Sequence, residues 1–142
     1  MAITQAVANS FKTEVLTGTH NFTATTGDSF KLALYTNSAT ISKSTTAYTT
    51  TAEVSGTGYT ATGNTLTSVT PALSSDTAVC DFADTSWTSA TITARGALIY
   101  NDSQSDKAVV ILDFGGDKTS TAGTFTIQFP AADASNAILR LA

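Results

Sequence analysis

The sequence predicts an all-β domain, an antiparallel β-sandwich or jelly-roll-like barrel with one N-terminal amphipathic helix. Three observations lead there. Short segments of alternating polarity are separated by turn residues along most of the chain. Charged residues make up only 13%, and Thr, Ser and Ala stand in their place; β-branched Thr suits an exposed pleated face. A helical period occurs once, in the first sixteen residues. At 142 residues the chain has the size of one domain, 1–142, with 1–17 as a helical arm and 19–142 as the β domain.

The elements follow in order. Ile3, Val7, Phe11 and Val15 recur every four residues, with Ala6 and Leu16 widening the stripe, so a helix is expected over 3–16. Thr4 is placed to cap it and Gly18 to close it. Its apolar stripe needs a partner, either the chain's own sheet or a neighbouring subunit. From Phe30 to Tyr35 the period becomes two, with Phe30, Leu32 and Leu34 on one face. Residues 36–51 are polar and aperiodic, a long excursion anchored by Ile41 and Tyr48; loops of that length usually have a binding role. Residues 53–67 read as two short strands around a Gly63-Asn64 turn. Residues 78–82 alternate again, and strands are expected at 88–100, 107–114, 123–129 and 136–141. Asn101–Asp106 and Gly115–Ala122 supply the turns of this meander.

Composition narrows the function. The net charge is −4 and the isoelectric point about 4.6. The seven Lys and Arg are scattered. Binding to nucleic acid or to an anionic membrane surface needs clustered cations, so neither partner is expected. Cys80 is the single cysteine, which favours a reducing compartment. The N-terminus has neither the basic nor the apolar region of a signal peptide, and no apolar run is long enough to span a membrane.

Candidate chemistry fails on its companions. Asp113-Phe-Gly115 lacks the Gly-rich loop, strand lysine and catalytic loop that make this tripeptide part of a kinase. Gly58–Gly63 has the outer glycines of a phosphate loop but Asn64 in the lysine position. One His and one Cys exclude a His-pair or thiolate zinc site. His20 has no carboxylate beside it in sequence to complete a triad. The pairs Asp81/Asp84, Asp102/Asp106 and Asp113/Asp117 read as turn residues, and Asp102–Asp106 lacks the glycine and distal Glu of a calcium loop. No catalytic residue, metal or cofactor is nominated. Arg95 reads as a bulge or edge residue pairing with Asp81, Asp84 or Asp113, and Cys80 as a small buried group.

An interaction protein is the better reading, because low charge at a contact core is an interface property. The candidate interface residues are Ile3, Val7, Phe11 and Val15 of the arm, Ile41 and Tyr48 of the excursion, Trp87 and Arg95. A second possibility is a carbohydrate- or receptor-binding module in which Trp87, Tyr48 and Tyr59 form a stacking platform.

Five segments carry a family resemblance: Phe30–Tyr35, Glu53–Ala61, Ala94–Asn101, Leu112–Gly115 and Phe125–Pro130. They resemble a family of small tailed-bacteriophage virion proteins, and the similarity runs from Phe11–Val15 to Asn136–Arg140. The resemblance implies a non-enzymatic virion component, made in the host bacterial cytoplasm without leader or disulfides. Among such components a capsid decoration or cement protein is favoured, binding the major capsid protein or other virion proteins. It would form a homo-oligomer, with a trimer suited to a local three-fold position. A tail, fibre or adaptor part is the alternative.

Overall fold

A computed structural model describes residues 2–142, and it is an all-β sandwich with one short N-terminal helix. Eight strands and the helix follow in the order β1 (Ala6–Val7), α1 (Asn9–Leu16), β2 (Phe30–Tyr35), β3 (Asn64–Thr65), β4 (Ser68–Ser74), β5 (Thr77–Phe82), β6 (Thr85–Asn101), β7 (Lys107–Ile127) and β8 (Leu139–Leu141). They form a five-stranded sheet of order β1-β7-β6-β2-β3 and a three-stranded sheet of order β4-β5-β8, antiparallel throughout.

The arm differs from its expected form. The helix begins at Asn9, not at Ile3, because the first residues find backbone partners elsewhere. Ile3 makes a parallel bridge to Ile41, and Ala6 and Val7 pair with Ile111 and Val110 of β7. Ala8 is still extended at the helix start and offers no side-chain cap. The first donors are met by distant carbonyls instead: Ala8 N–H by Val109 and Asn9 N–H by Lys43. The C-terminus follows the expected route. Gly18 takes φ +75°, its N–H donates to Val15 O, and Thr19 N–H donates to Glu14 O, the double bond of a Schellman cap. Ile3, Ala8 and Phe11 are buried, so the arm is anchored in the core through these side chains.

Strand β2 and the second half of β6 are covered on both faces, whereas the first half of β6 alternates between buried and exposed residues. Phe30, Leu32 and Leu34 are expected to form one buried face, yet Ala33 and Tyr35 on the opposite face are also fully buried. One side carries an aromatic cluster of Phe11, Phe22, Phe30 and Phe82, in which Phe22 stacks on Phe30 at 4.3 Å. The other side is roofed by the excursion after β2. Val54 N–H donates to Leu34 O, Thr36 N–H to Ala52 O, and Tyr48 stacks on Tyr100 at 4.8 Å. The excursion is therefore the second layer over the sheet.

Four further differences from the expected elements follow. Gly63-Asn64 is not a hairpin turn; Gly63, at φ +78°, passes so close under β2 that a Cβ would overlap the Leu32 carbonyl oxygen, and Asn64–Thr65 then pairs with β2. Residues 115–122 are not a turn; β7 runs through them and pairs with β6 nearly end to end. Gly115, at φ +78°, serves a bulge there, with residues 114–117 opposite Arg95 alone. Strand β4 was not foreseen. It contains Pro71, which an edge strand tolerates because one side of its ladder is empty. The last strand is shorter than 136–141, covering Leu139–Leu141. No helix among the described residues is long and apolar enough to cross a membrane.

Candidate functional site

Polar side chains gather in three places. The first surrounds His20, whose side chain is fully buried. The closing turn of α1 brings Glu14 to it, so His20 does have a carboxylate neighbour: Nε2 donates to Glu14 Oε1 at 3.0 Å. Asn101, fully buried, donates through Nδ2 to His20 Nδ1 at 2.9 Å and to Asp28 Oδ2 at 2.8 Å. Lys107 lies 3.7 Å from the other Glu14 oxygen. Both imidazole nitrogens are thus engaged, one by Glu14 and the other by the Asn101 amide where a triad would place its hydroxyl. The chain of contacts ties α1, the 19–29 loop and the β6–β7 turn together.

This network has a pH signature. Burial pushes the Asp28 carboxyl up, but hydrogen bonds from Asn101, Asn21 and Gln104, with His20 nearby, outweigh it and leave the pKa below the usual carboxylate range. A depressed folded-state pKa gives stability that is present above the unfolded value, about 3.9, and is lost as pH falls through the folded one. Asp28→Asn is therefore expected to melt below the parent at pH 7, with the gap closing towards pH 3 in a series of thermal melts. A gap that stays constant would remove Asp28 from the account.

The second centre is Glu53. Its Oε2 accepts from Tyr48 OH at 2.6 Å, and its Oε1 accepts from Tyr59 OH at 2.7 Å and Thr62 N–H at 2.8 Å. Leu34 N–H donates to the Tyr59 oxygen, and Tyr35 and Tyr100 donate to the carbonyls of Thr49 and Thr62. Burial, then the bonded Glu53 carboxylate, pushes the Tyr48 phenol up to about 12. Tyr59 is raised for the same two reasons, and Tyr35 and Tyr100 chiefly by burial. These phenols are fasteners of the roof and not acids poised for transfer. No open stacking platform results. Trp87 is only 4% exposed, it lies against Tyr59 and Phe125, and Tyr48 is turned onto Tyr100.

The third is Arg95, opposite the β7 bulge. Its Nε donates to Asp113 Oδ1 at 3.1 Å, and Gly115 N–H donates to the same oxygen. Those two contacts, the Gly115 N–H first, hold the Asp113 carboxyl below its ordinary range. The Asp-Phe-Gly tripeptide is thus the lock of a bulge. Asp84 accepts from Phe129 N–H, and Asp102 lies 3.8 Å from Lys31. Cys80 is buried, which pushes its thiol up to about 12. Among the described residues no three His, Cys, Asp or Glu side chains converge as metal ligands do.

Two clefts remain. One, of about 440 Å³, opens between α1 and the three-stranded sheet, with Val7, Phe11, Val15, Phe22, Cys80 and Leu139 in its walls. Leu16 stands at its rim, 84% exposed. Register extends the patch across the small sheet, because Leu73, Ala78 and Leu141 are successive cross-strand neighbours. Leu73 and Leu141 are 76% and 62% exposed. The other cleft, of about 560 Å³, follows β7 from Leu112 to Phe129.

Of the expected interface residues, Val7, Phe11 and Val15 come together in the first cleft. Ile3 and Ile41 are buried against each other's backbone, Trp87 is buried in the β6–β7 ribbon, and Tyr48 and Arg95 are engaged by Glu53 and Asp113. These five serve the chain's own packing. The opposing wall, Cys80 and Leu139, was missed; Leu73 and Leu141 show in sequence only as apolar residues without a periodic partner.

An all-β sandwich with an apolar cleft beside its helix is the class these features define. No family model matches the chain, and comparison with curated proteins and with solved structures finds no similar one.

Proposed function

We propose that this protein is a non-enzymatic structural component of a tailed-bacteriophage virion, a capsid decoration or cement protein that grips the shell through the apolar cleft beside α1. The observation that carries the reading is the pair of exposed leucines that line that cleft, Leu16 and Leu141, with exposed Leu73 continuing from Leu141 across the small sheet. On a surface otherwise dominated by hydroxyl groups, a contiguous apolar patch marks a protein contact. The segment resemblance to small virion proteins supplies the kind of partner: the major capsid protein or another virion protein, bound by a homo-oligomer, for which a trimer is favoured.

The test is direct. In purified particles the chain is expected in copy numbers comparable to the major capsid protein, measured on a stained gel. A band scarce by comparison would move it to the tail, fibre or adaptor, and no band would end the virion reading. Leu16→Asp with Leu141→Asp is expected to reduce particle binding about tenfold or more, since an interface core tolerates no unpaired charge. Both residues are exposed, so the melting temperature should stay within about 2 °C of the parent. Full particle binding by the double variant would place the grip elsewhere.

A further inference from the structure

His20 is the only histidine of the chain, and its neighbours leave its hydrogen bonding one arrangement. Asn101 sets the direction. Its Oδ1 accepts from Ser103 N–H at 3.0 Å, and its Nδ2 donates to Asp28 Oδ2 at 2.8 Å. Turning the amide over would forfeit the first bond and set oxygen against carboxylate in the second. The same Nδ2 faces His20 Nδ1 at 2.9 Å, so Nδ1 must accept. The ring proton then sits on Nε2, where it is given to Glu14.

A second proton on the ring goes to Nδ1 and meets the Asn101 amide donor to donor. The imidazole has no room to turn away. Its side chain is fully buried, with the rings of Phe11, Phe22 and Phe30 4.9, 6.3 and 6.4 Å from it. The charged groups around it are Glu14 of α1, Asp28 of the 19–29 loop and Lys107 at the start of β7, and they decide which contact yields. Glu14 gains a charge-assisted bond from an imidazolium, so that contact tightens. Asp28 attracts the cation but keeps Asn101 turned the wrong way. Lys107, 3.7 Å from the other Glu14 oxygen, repels the new charge. The Asn101 contact is the one that fails.

That contact lies on a seam. The 19–29 loop meets the β6–β7 turn through Ser29 N–H to Ser103 Oγ and Asp102 N–H to Ser29 O. His20 and α1, tied by Glu14, stand on the loop's side of it, and α1 carries Phe11 and Val15 into the wall of the apolar cleft. We infer that His20 is an acid-operated latch: uptake of one proton parts α1 and the 19–29 loop from the β6–β7 turn and shifts the α1 wall of the cleft, while the sheets stay folded. The latch is built from contacts outside the cleft and assumes nothing about what the cleft binds.

The experiment follows the whole protein by NMR from about pH 7.5 to about pH 5.5, spanning the ordinary imidazole value of about 6.5. With one histidine, the imidazole nitrogen signals report one site, and at the upper end they should show the neutral Nε2–H tautomer. If only the parted form takes the proton, its population rises about tenfold over this range. Amide exchange, corrected for its intrinsic pH dependence, should therefore accelerate about tenfold at Asn21, Ser29, Asp102 and Ser103, whose bonds close the loop and the seam. Leu98 and Val110, in the β6–β7 ladder, should not change. His20→Gln keeps a donor for Glu14 but cannot take the proton, and should hold the parent's high-pH protection throughout. An Nδ1–H tautomer in the parent, or no acceleration at the four amides, would overturn the inference. So would equal acceleration at Leu98 and Val110, which is global unfolding, or the same response in His20→Gln, which would assign it to Asp28.

Discussion

Ile111→Asp is expected to lower the melting temperature by about 15 °C, corresponding to about 4 kcal/mol for a domain of this size. Ile111 is completely buried in β7, opposite Leu98 of β6 on one side and Ala6 of β1 on the other. A carboxylate there has no cation or donor to meet and must either stay charged at high cost or take up a proton. Ile111→Val, which removes one methylene, should cost only about 1 kcal/mol. Thermal melts of the two variants against the parent check the contrast. Equal, small losses would mean that β1 and β7 do not enclose this side chain.

Glu53→Ala is expected to be the second large effect, about 2–3 kcal/mol, from a residue that is not itself fully buried. Three donors converge on its carboxylate, Tyr48 OH, Tyr59 OH and Thr62 N–H. Removing the acceptor leaves all three to compete for water in a partly closed space. Glu53→Gln keeps one carboxyl-like oxygen and should lose less. Hydrogen exchange separates local from global loss: amides of 48–62 should exchange faster in Glu53→Ala, while those of β6 and β7 follow the global stability. Uniform acceleration across both would show that the roof and the sheet unfold as one unit.

These effects bear on how far the residues spoke for themselves. Strands β2, β5 and the inner halves of β6 and β7 were legible because each alternates or runs apolar between turn residues, and local patterning decides such segments. Strand β4 was not, because five of its seven residues are exposed and an edge without a buried face leaves no period to read. The arm misled for the opposite reason. Ile3 and Val7 fit a helical stripe, but their backbones are taken by a parallel bridge and a sheet edge, and those backbone bonds outweigh a short helix's propensity. Gly115-Gly-Asp-Lys118 has the chemistry of a turn, yet a cross-strand ladder on both sides of it turns that chemistry into a bulge.

The candidate surfaces divide in the same way. Val7, Phe11 and Val15 were visible as an apolar wall, since one helix or arm carries them all. By itself the sequence determined the all-β class, the Schellman close at Gly18 and the low-charge, hydroxyl-rich surface, because these depend on neighbours within a few residues. Only the tertiary structure decided which carboxylate meets His20, which phenols meet Glu53 and which leucines form one row. The leucine row and the Asn101 contacts to His20 and Asp28 join residues tens of positions apart, and even the Glu14–His20 and Tyr–Glu53 pairs, five or six positions apart, depend on how their turns pack on the sheet; sheet order and register set such pairings, and no local period encodes them.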